Sequence, residues 1–484
     1  MHGASQAQHA LGSTQAPAQW RGSCAAVCVA LASMLAPPSA GSADASDVPS
    51  YVAQPCCNLC PRAADPNAYV TSSLKKSRFL IEGQDGWLFV SELDLATDFT
   101  PKDPLVYADL ARLHQAFKAR GTEVVVFARP PRGLVETSRL KPDDRARYNY
   151  DAALKAYTEQ LQRLREAGFI VPDYSAFANE REGDAFYLRR DVHWKASGAR
   201  RTAQLIAATI KSLKLDAGLP RKAFETHLIG PGGADGVFSR LATVLCGGQY
   251  PKEIVPRYKT VAPESSDLFG DAPQPEVALV GTSFSRTEGY NFAGFLQEFL
   301  QTDLLNVAIA GGAFDGALTE YLISDAFQKH PPKILIWEFT PEHIIDSTHI
   351  VMRRLLPLVA NGCAEHPALL TNTVSINPGD DLADVLVNGG AGLIMAKSRD
   401  LVVDLQFEDP NVKDIKAEIW YLDGGHETLR EGYNEFTNAR GRFVLELNQD
   451  PVIGDAPIID FRVQIVTPLA KPTGLTAALC RGAS

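Results

Sequence analysis

The sequence predicts an α/β layered domain followed by an all-β sandwich domain. Between residues 79 and 339, short continuous apolar runs alternate with helical periodicity, which is typical of parallel strands covered on both faces. Beyond about Cys363 the pattern changes to polar–apolar alternation broken by Gly, Asp and Asn turns. The 484 residues, 45% hydrophobic and 21% charged, are enough for two such globular domains.

The N-terminal residues are expected to be a secretory signal. An apolar stretch from Cys24 to Ala36 follows Arg21 and is too short to span a bilayer comfortably, and Ala43-Asp-Ala45 offers the small-residue pattern that signal peptidases cleave. An N-terminal anchor, or a start at Met34, would explain the same stretch. We expect a signal at 1–45, the α/β domain at 46–362 and the β-sandwich at 363–484.

The elements of the α/β domain are predicted in chain order from these patterns. Residues 79–90 indicate two short strands joined by a Gly/Asp turn, and a helix is expected over 103–119. A second helix is expected over 150–167. Further strands are predicted at 123–128, 169–171, 277–280, 304–309 and 334–337. In the sandwich, strands are predicted at 401–407, 415–421, 441–447 and 459–465.

Ser283 is the candidate nucleophile. The segment Gly281-Thr-Ser-Phe-Ser285 follows an apolar run directly, so Ser283 is expected just beyond the carboxyl end of a strand, where open α/β sheets bind ligands. A hydroxyl on a tight turn is exposed and lies beside amides that can receive an oxyanion, as acyl transfer requires. An ordinary loop would show the same residues.

Asp191 and His193 are the candidate partners of Ser283. Residues two apart in an extended segment face the same side, so the Asp191 carboxylate can orient the imidazole of His193. The other ring nitrogen then accepts the proton of Ser283. The three residues predict an acyl-transfer triad, whereas a histidine on the surface or in the core is the alternative.

This pattern resembles a known family. Asp-x-His-Trp followed by Gly-Thr-Ser-Phe-Ser is similar to the periplasmic alginate O-acetyltransferases, whose SGNH-hydrolase-like domain carries its Asp and His before its Ser. Agreement extends to Ala128–Gly133, Ala310–Gly316 and Ile336–Phe339. The all-β C-terminus resembles the carbohydrate-binding module of the AlgX members. The resemblance implies an SGNH-hydrolase-like α/β domain and a module that binds polysaccharide.

The resemblance also assigns roles to cysteines. Six remain after the expected signal, and an even number in an exported chain favours disulfides. By the resemblance, one disulfide joins Cys246 to Cys56, Cys57 or Cys60, of which Cys60 is our candidate, and the other joins Cys363 to Cys480. The Cys56–Cys60 cluster has no second paired Cys or His cluster to complete a zinc site, so no metal is expected.

Candidate substrate-binding residues lie in both domains. Arg129 and Arg132 end a predicted strand at the edge that carries Ser283, where they are expected to bind uronate carboxylates unless they are ordinary solvated arginines. Lys416 and Trp420 share one face of a predicted strand and match the basic and aromatic set of the family module, although an ordinary exposed strand face would also alternate. Glu418 and His426 depart from that set.

The implied activity is O-acetylation of an exopolysaccharide, alginate, through an acetyl-serine intermediate during polymer biosynthesis and export. It needs no cofactor, and its partners are the polymer and the periplasmic and inner-membrane proteins that relay acetyl groups. A carbohydrate acetyl esterase and a polysaccharide-binding scaffold are the alternatives. The net charge of −10 argues against broad nucleic-acid binding, which requires a basic surface.

Overall fold

The computed structural model describes residues 59–179, 184–263, 273–345, 349–389, 392–447 and 455–482. The expected signal, Cys56 and Cys57 lie outside these ranges. Among the helices described there, none has the length and apolar character needed to cross a membrane.

The described α-helices form mostly where apolar residues recur at helical spacing. Their bounds are α1 Ser72–Lys75, α2 Ser91–Asp94, α3 Val106–Ala119, α4 Arg132–Val135, α5 Pro142–Arg147, α6 Tyr150–Glu166, α7 Ala176–Asn179, α8 Ala196–Ser212, α9 Val237–Cys246, α10 Ser283–Arg286, α11 Phe292–Leu300, α12 Gly316–Ile323, α13 Asp325–Lys329, α14 Pro341–Ile345 and α15 His349–Val359.

The described strands divide between the two halves of the chain. The bounds are β1 Leu80–Glu82, β2 Leu88–Val90, β3 Glu123–Ala128, β4 Glu225–Ala234, β5 Glu253–Val261, β6 Val277–Val280, β7 Leu305–Asn306, β8 Ile334–Phe339, β9 Ala368–Ile376, β10 Ala383–Val387, β11 Leu401–Phe407, β12 Asp414–Tyr421, β13 His426–Gly432, β14 Arg442–Glu446, β15 Ile458–Ile465 and β16 Thr473–Arg481.

A parallel sheet forms the centre of the first domain, with strand order β3-β8-β6-β7. All six residues of β8 and all four of β6 are buried, as expected for strands covered on both faces. The strand predicted at 169–171 is reduced to one bridge between Val125 and Ile170. Pro172 follows directly and has no N–H to continue the pairing.

The C-terminal part contains two antiparallel sheets, with strand orders β10-β15-β12-β13 and β14-β11-β16-β9. Side chains from both sheets, such as Val403 of β11 and Ile419 of β12, join one buried hydrophobic core. The predicted order of an α/β domain followed by an all-β sandwich is therefore confirmed. The predicted domain boundaries stay predictions.

Two disulfides link distant segments. Cys60 bonds to Cys246 at the end of α9, and Cys363 bonds to Cys480 in β16. The pairing left open among three cysteines is thus assigned to Cys60, and both predicted disulfides are confirmed.

Candidate active site

Ser283 lies at the start of α10, two residues beyond Gly281, where β6 has ended. The Thr282 side chain accepts a hydrogen bond from the Phe284 N–H and caps this short helix. The turn formed by residues 281–285, called the nucleophile turn after its candidate nucleophile Ser283, therefore lies at the carboxyl edge of the parallel sheet, where the sequence predicted it.

Asp191 and His193 lie in a bend rather than in the extended segment that the sequence predicted. The Leu188 N–H donates to the His193 carbonyl at 2.9 Å, and Tyr187 and Trp194 form an isolated antiparallel bridge, so the loop closes on itself. The Asp191 carboxylate accepts the His193 backbone N–H at 2.8 Å. This contact within the bend brings the two side chains to the same side.

The three side chains form a continuous hydrogen-bonded chain. His193 Nδ1 lies 2.5 Å from Asp191 Oδ1, and His193 Nε2 lies 2.7 Å from Ser283 Oγ. A proton on Nδ1 facing the carboxylate leaves the Nε2 lone pair directed at the serine hydroxyl. The arrangement can deprotonate Ser283 as it attacks an acyl carbon.

Asp191 stays ionised in this environment. Burial alone would raise the pKa of its carboxyl group, but the hydrogen bonds and charge of His193 and the N–H of Val237 outweigh burial and lower that pKa. Val237 begins α9, and its N–H donates to Asp191 Oδ2 at 2.5 Å. The carboxylate is thus held on both oxygens, which fixes the orientation of the imidazole.

Aromatic side chains cover the imidazole of His193. The ring of Tyr290 stacks on it at 5.4 Å with an interplanar angle of 26°, and the ring of Phe284 lies 4.7 Å away. Burial, followed by the charge of Asp191, raises the pKa of Tyr290, so its hydroxyl remains protonated at neutral pH. Tyr290 was not predicted from the sequence, since a lone tyrosine in a polar turn carries no distinguishing signal.

Arg129 and Arg132 are buried, whereas their prediction as uronate ligands expected guanidinium groups open to a polymer. Arg132 is 1% exposed, and its guanidinium donates to the backbone carbonyls of Leu88, Arg189 and Asp191. Arg129 is 5% exposed, and its guanidinium donates to the Tyr187 hydroxyl. Both lie just after β3 at the predicted edge, where Arg132 holds the backbone of the His193 loop and Arg129 holds the Tyr187 side chain.

Glu338 is a buried carboxylate that the sequence analysis did not single out. Its oxygens accept hydrogen bonds from Thr282 and Ser285, on either side of Ser283. A signal was present, because Ile336-Trp-Glu-Phe339 places one acidic residue inside an apolar strand.

Lys416 and Trp420 lie in β12 of the C-terminal part, in a different sheet from the triad. They share the polar face of that strand with Glu418, while Ala417 and Ile419 between them are buried. Lys416 Nζ pairs with Glu418 Oε1 at 2.9 Å, and the Trp420 ring stacks on His426 at 4.8 Å. Glu418 and His426, the two residues that depart from the family set, therefore each contact one predicted binding residue.

Comparison with known proteins decides the family. Residues 80–341 match the model of the SGNH hydrolase-like domain of the acetyltransferase AlgX, and residues 362–484 match a C-terminal carbohydrate-binding module. The chain belongs to the AlgX family. The alginate biosynthesis protein AlgX of Pseudomonas syringae pv. tomato is 38% identical over 453 residues, covering 93% of this chain and 94% of that protein.

Further matches connect this AlgX-family chain with a solved structure and with a probable alginate O-acetylase. A structure of Pseudomonas aeruginosa AlgX superposes with a TM-score of 0.80 at 35% identity, covering 88% of this chain and 100% of that one. The probable alginate O-acetylase AlgJ of the same species is 30% identical over 287 residues, covering 55% of this chain and 70% of AlgJ. The AlgJ match spans little more than half of this chain.

Proposed function

We propose that this protein O-acetylates alginate in the periplasm, with Ser283 as the nucleophile, His193 as the base and Asp191 as the orienting acid. The observation that carries the proposal is the unbroken hydrogen-bonded chain from Asp191 through His193 to Ser283. The names of the AlgX and AlgJ relatives support alginate and acetyl groups as the substrate classes.

Two half-reactions follow from this geometry. Ser283 Oγ attacks the acetyl carbonyl of the donor while its proton passes to His193 Nε2, and the departing donor group takes that proton. The acetyl group is then esterified to Ser283. A sugar hydroxyl loses its proton to Nε2 and attacks the acetyl carbon, and the same proton returns to Ser283 Oγ as the ester bond breaks.

The compartment and partners follow from the same assignment. Disulfides persist in oxidising compartments, and the two found here suit the periplasm. Acetyl-CoA is cytoplasmic, so inner-membrane and periplasmic proteins of the polymer acetylation and export machinery would relay the acetyl group. The C-terminal module would hold the polymer while the triad reacts.

Incubation with an acetyl ester donor and mannuronate oligomers, followed by mass spectrometry of the sugars, tests the transferase. We expect acetylated oligomers, and we expect Ser283→Ala to lower their rate of formation by roughly a thousandfold or more, since the triad acts as a unit. Ser212→Ala, which removes an exposed hydroxyl at the end of α8, is the matched control and should leave the rate unchanged.

Three results would contradict the proposal. Free acetate without acetylated oligomers would identify an esterase. Oligomers that bind without either product would identify a scaffold. A folded Ser283→Ala variant with full activity would remove Ser283 from the mechanism.

A further inference from the structure

Glu338 is a fully buried carboxylate in β8, one of the two inner strands of the parallel sheet. Strand β8 pairs with β3 on one side and β6 on the other, and Glu338 is 0% exposed. An ionised group in such a position costs several kcal/mol of desolvation, and an apolar residue there would often be neutral or stabilising. Its presence in an otherwise apolar strand therefore calls for a role other than packing.

Within the part of the chain that the structure describes, the hydrogen bonds that the Glu338 carboxylate accepts come from the nucleophile turn. The Thr282 N–H donates to Oε2 at 2.7 Å, and the Thr282 hydroxyl lies 3.0 Å from both carboxylate oxygens. The Ser285 hydroxyl donates to Oε2 at 2.9 Å. The residue immediately before Ser283 and the residue two positions after it are thus fixed to one carboxylate.

Gly281 completes the arrangement by making room for Glu338. A Cβ atom at position 281 would lie 2.6 Å from Glu338 Oε2 and 2.9 Å from Ser285 Oγ, which is closer than real Cβ contacts. Any side chain there would displace the carboxylate from the turn. Gly281 and Glu338, which lie in two separate motifs of the sequence, therefore belong to one structural unit.

The groups around Glu338 offset the effect of its burial only in part. Burial raises the pKa of this carboxyl group, while the Thr282 N–H, the hydroxyls of Ser285 and Thr282 and the charge of Arg129 lower it in part. Arg129 lies over the ring of Phe284, the residue that follows Ser283, with 4.9 Å from Cζ to the ring centroid. The turn thus contacts both the Glu338 carboxyl group and the Arg129 guanidinium.

We propose that Glu338 is a positioning residue that keeps Ser283 Oγ within hydrogen-bonding distance of His193 Nε2 by anchoring Thr282 and Ser285. This inference rests on the proposed role of Ser283 as the nucleophile. Glu338 bonds to the neighbours of Ser283 and not to Ser283 itself. Its effect on the reaction would therefore act through the position of the serine hydroxyl. A shift of about 1 Å in a reacting atom can cost on the order of a hundredfold in rate.

The test compares variants at the carboxyl edge of the parallel sheet with a control variant at the opposite edge. Glu338→Gln removes the charge at constant size, and Thr282→Val removes one hydroxyl that bonds to Glu338. Thr122→Val is the matched control, because the buried Thr122 hydroxyl donates to Pro332 O at 2.7 Å, beside the starts of β3 and β8 and away from the turn. Should Glu338→Gln fail to fold, Thr282→Val still tests the anchor.

The readouts are kcat and KM for 4-nitrophenyl acetate, the rate at which a sulfonyl fluoride labels Ser283, and the thermal midpoint. We expect Glu338→Gln and Thr282→Val to lower kcat and the labelling rate about 10- to 100-fold, with KM within about twofold of wild type. Thr122→Val should lower the thermal midpoint without changing kcat.

Wild-type rates in both folded turn variants, or an equal loss of kcat in Thr122→Val, would overturn the positioning role while leaving the triad intact. A wild-type protein whose Ser283 is not labelled would instead overturn the nucleophile assignment, and with it this inference.

Discussion

At the scale of single residues, Arg132 and Asp94 form the buried charge pair beside the catalytic loop. Arg132 Nε lies 4.0 Å from Asp94 Oδ2, and the same carboxylate oxygen accepts the Val90 N–H at 2.7 Å. Because Arg132 also donates to the Asp191 carbonyl at 3.0 Å, the pair is linked to the backbone that carries the triad. Arg132 therefore links the loop that carries Asp191 to Asp94.

Asp94 gives a pH dependence of stability with a definite sign. Burial, only partly offset by Arg132, raises its pKa to about 6. Between pH about 4 and about 6 the native state therefore binds a proton that the unfolded chain has lost, and the unfolding free energy falls as pH rises through this window. We expect Asp94→Asn to lose the part of this pH dependence that is due to Asp94. Urea unfolding at several pH values measures it.

The wild type serves as the reference for that measurement. The difference in unfolding free energy between Asp94→Asn and wild type should shift in favour of the variant as pH rises from about 4 to about 6, by up to roughly 3 kcal/mol. A difference that is constant with pH would show that Asp94 is already ionised throughout this range.

Local spacing in the sequence predicted the three residues of the proposed triad but not the residues that pack around them. Ser283 follows a strand that is readable as an apolar run, and Asp191 and His193 are two apart, so local spacing was sufficient. Glu338 lies 55 positions from Ser283 in the chain, and only the pairing of β8 with β6 brings them together. Burial of Arg129 and Arg132 likewise depends on distant packing that no local pattern contains.

At the scale of elements, α15 connects the catalytic domain with the C-terminal module. Its Arg354 is buried and pairs with Glu431 of β13 at 2.8 Å and with Asp315 in the segment before α12. Its Arg353 donates to the Glu446 carbonyl of β14 at 2.9 Å and pairs with Glu427 of β13. One helix thus places two buried cations against acidic groups of both domains.

We expect Arg354→Ala to lower the unfolding free energy by about 3–5 kcal/mol, since it leaves Glu431 buried without its cation. Urea unfolding checks this value. Lys155→Ala is the matched control, because Lys155 forms an exposed pair with Glu159 that should be worth less than about 1 kcal/mol. A loss below 1 kcal/mol in Arg354→Ala would show that the acidic groups find other partners.

Elements whose residues form an apolar run or a clear polar–apolar alternation were predictable from the sequence, and elements without such a pattern were not. Strands β3, β6 and β11 have the bounds that the sequence predicted, since each is a short apolar run or a clear alternation. The antiparallel pair of strands β4 and β5, which flank α9, was not predicted from the sequence. In β4 the residues alternate between exposed and half-buried, and Gly230-Pro-Gly-Gly233 interrupts any strand propensity.

At the scale of the whole molecule, the C-terminal module is packed directly against the catalytic domain. Asn434 Nδ2 donates to the Gly312 carbonyl at 3.0 Å, and the Phe436 ring leaves no room for a Cβ at Gly311. These glycines follow Ile309, whose N–H donates to Gly281 O at 2.9 Å beside the nucleophile turn. The module therefore contacts the segment next to the catalytic edge, and a polymer bound to it would be held close to the domain that reacts.

The final prediction separates polymer binding from catalysis. A pyranose ring stacks on an aromatic side chain and a uronate carboxylate pairs with an ammonium group, so the double variant Lys416→Ala with Trp420→Ala should lose both kinds of contact. Each is worth on the order of 1 kcal/mol, so the affinity for long mannuronate oligomers should fall about tenfold or more and depend less on salt. Cleavage of a small acetyl ester should stay at the wild-type rate.

Lys329→Ala is the control for charge, since Lys329 is exposed on α13 of the catalytic domain and, like Lys416, pairs with a carboxylate. It removes one positive charge from the chain and should leave oligomer affinity unchanged at constant ionic strength. Isothermal titration at two salt concentrations measures both variants. Wild-type affinity in the double variant would mean that the pairing of Lys416 with Glu418 and the stacking of Trp420 on His426 already occupy these side chains, and that the polymer binds elsewhere.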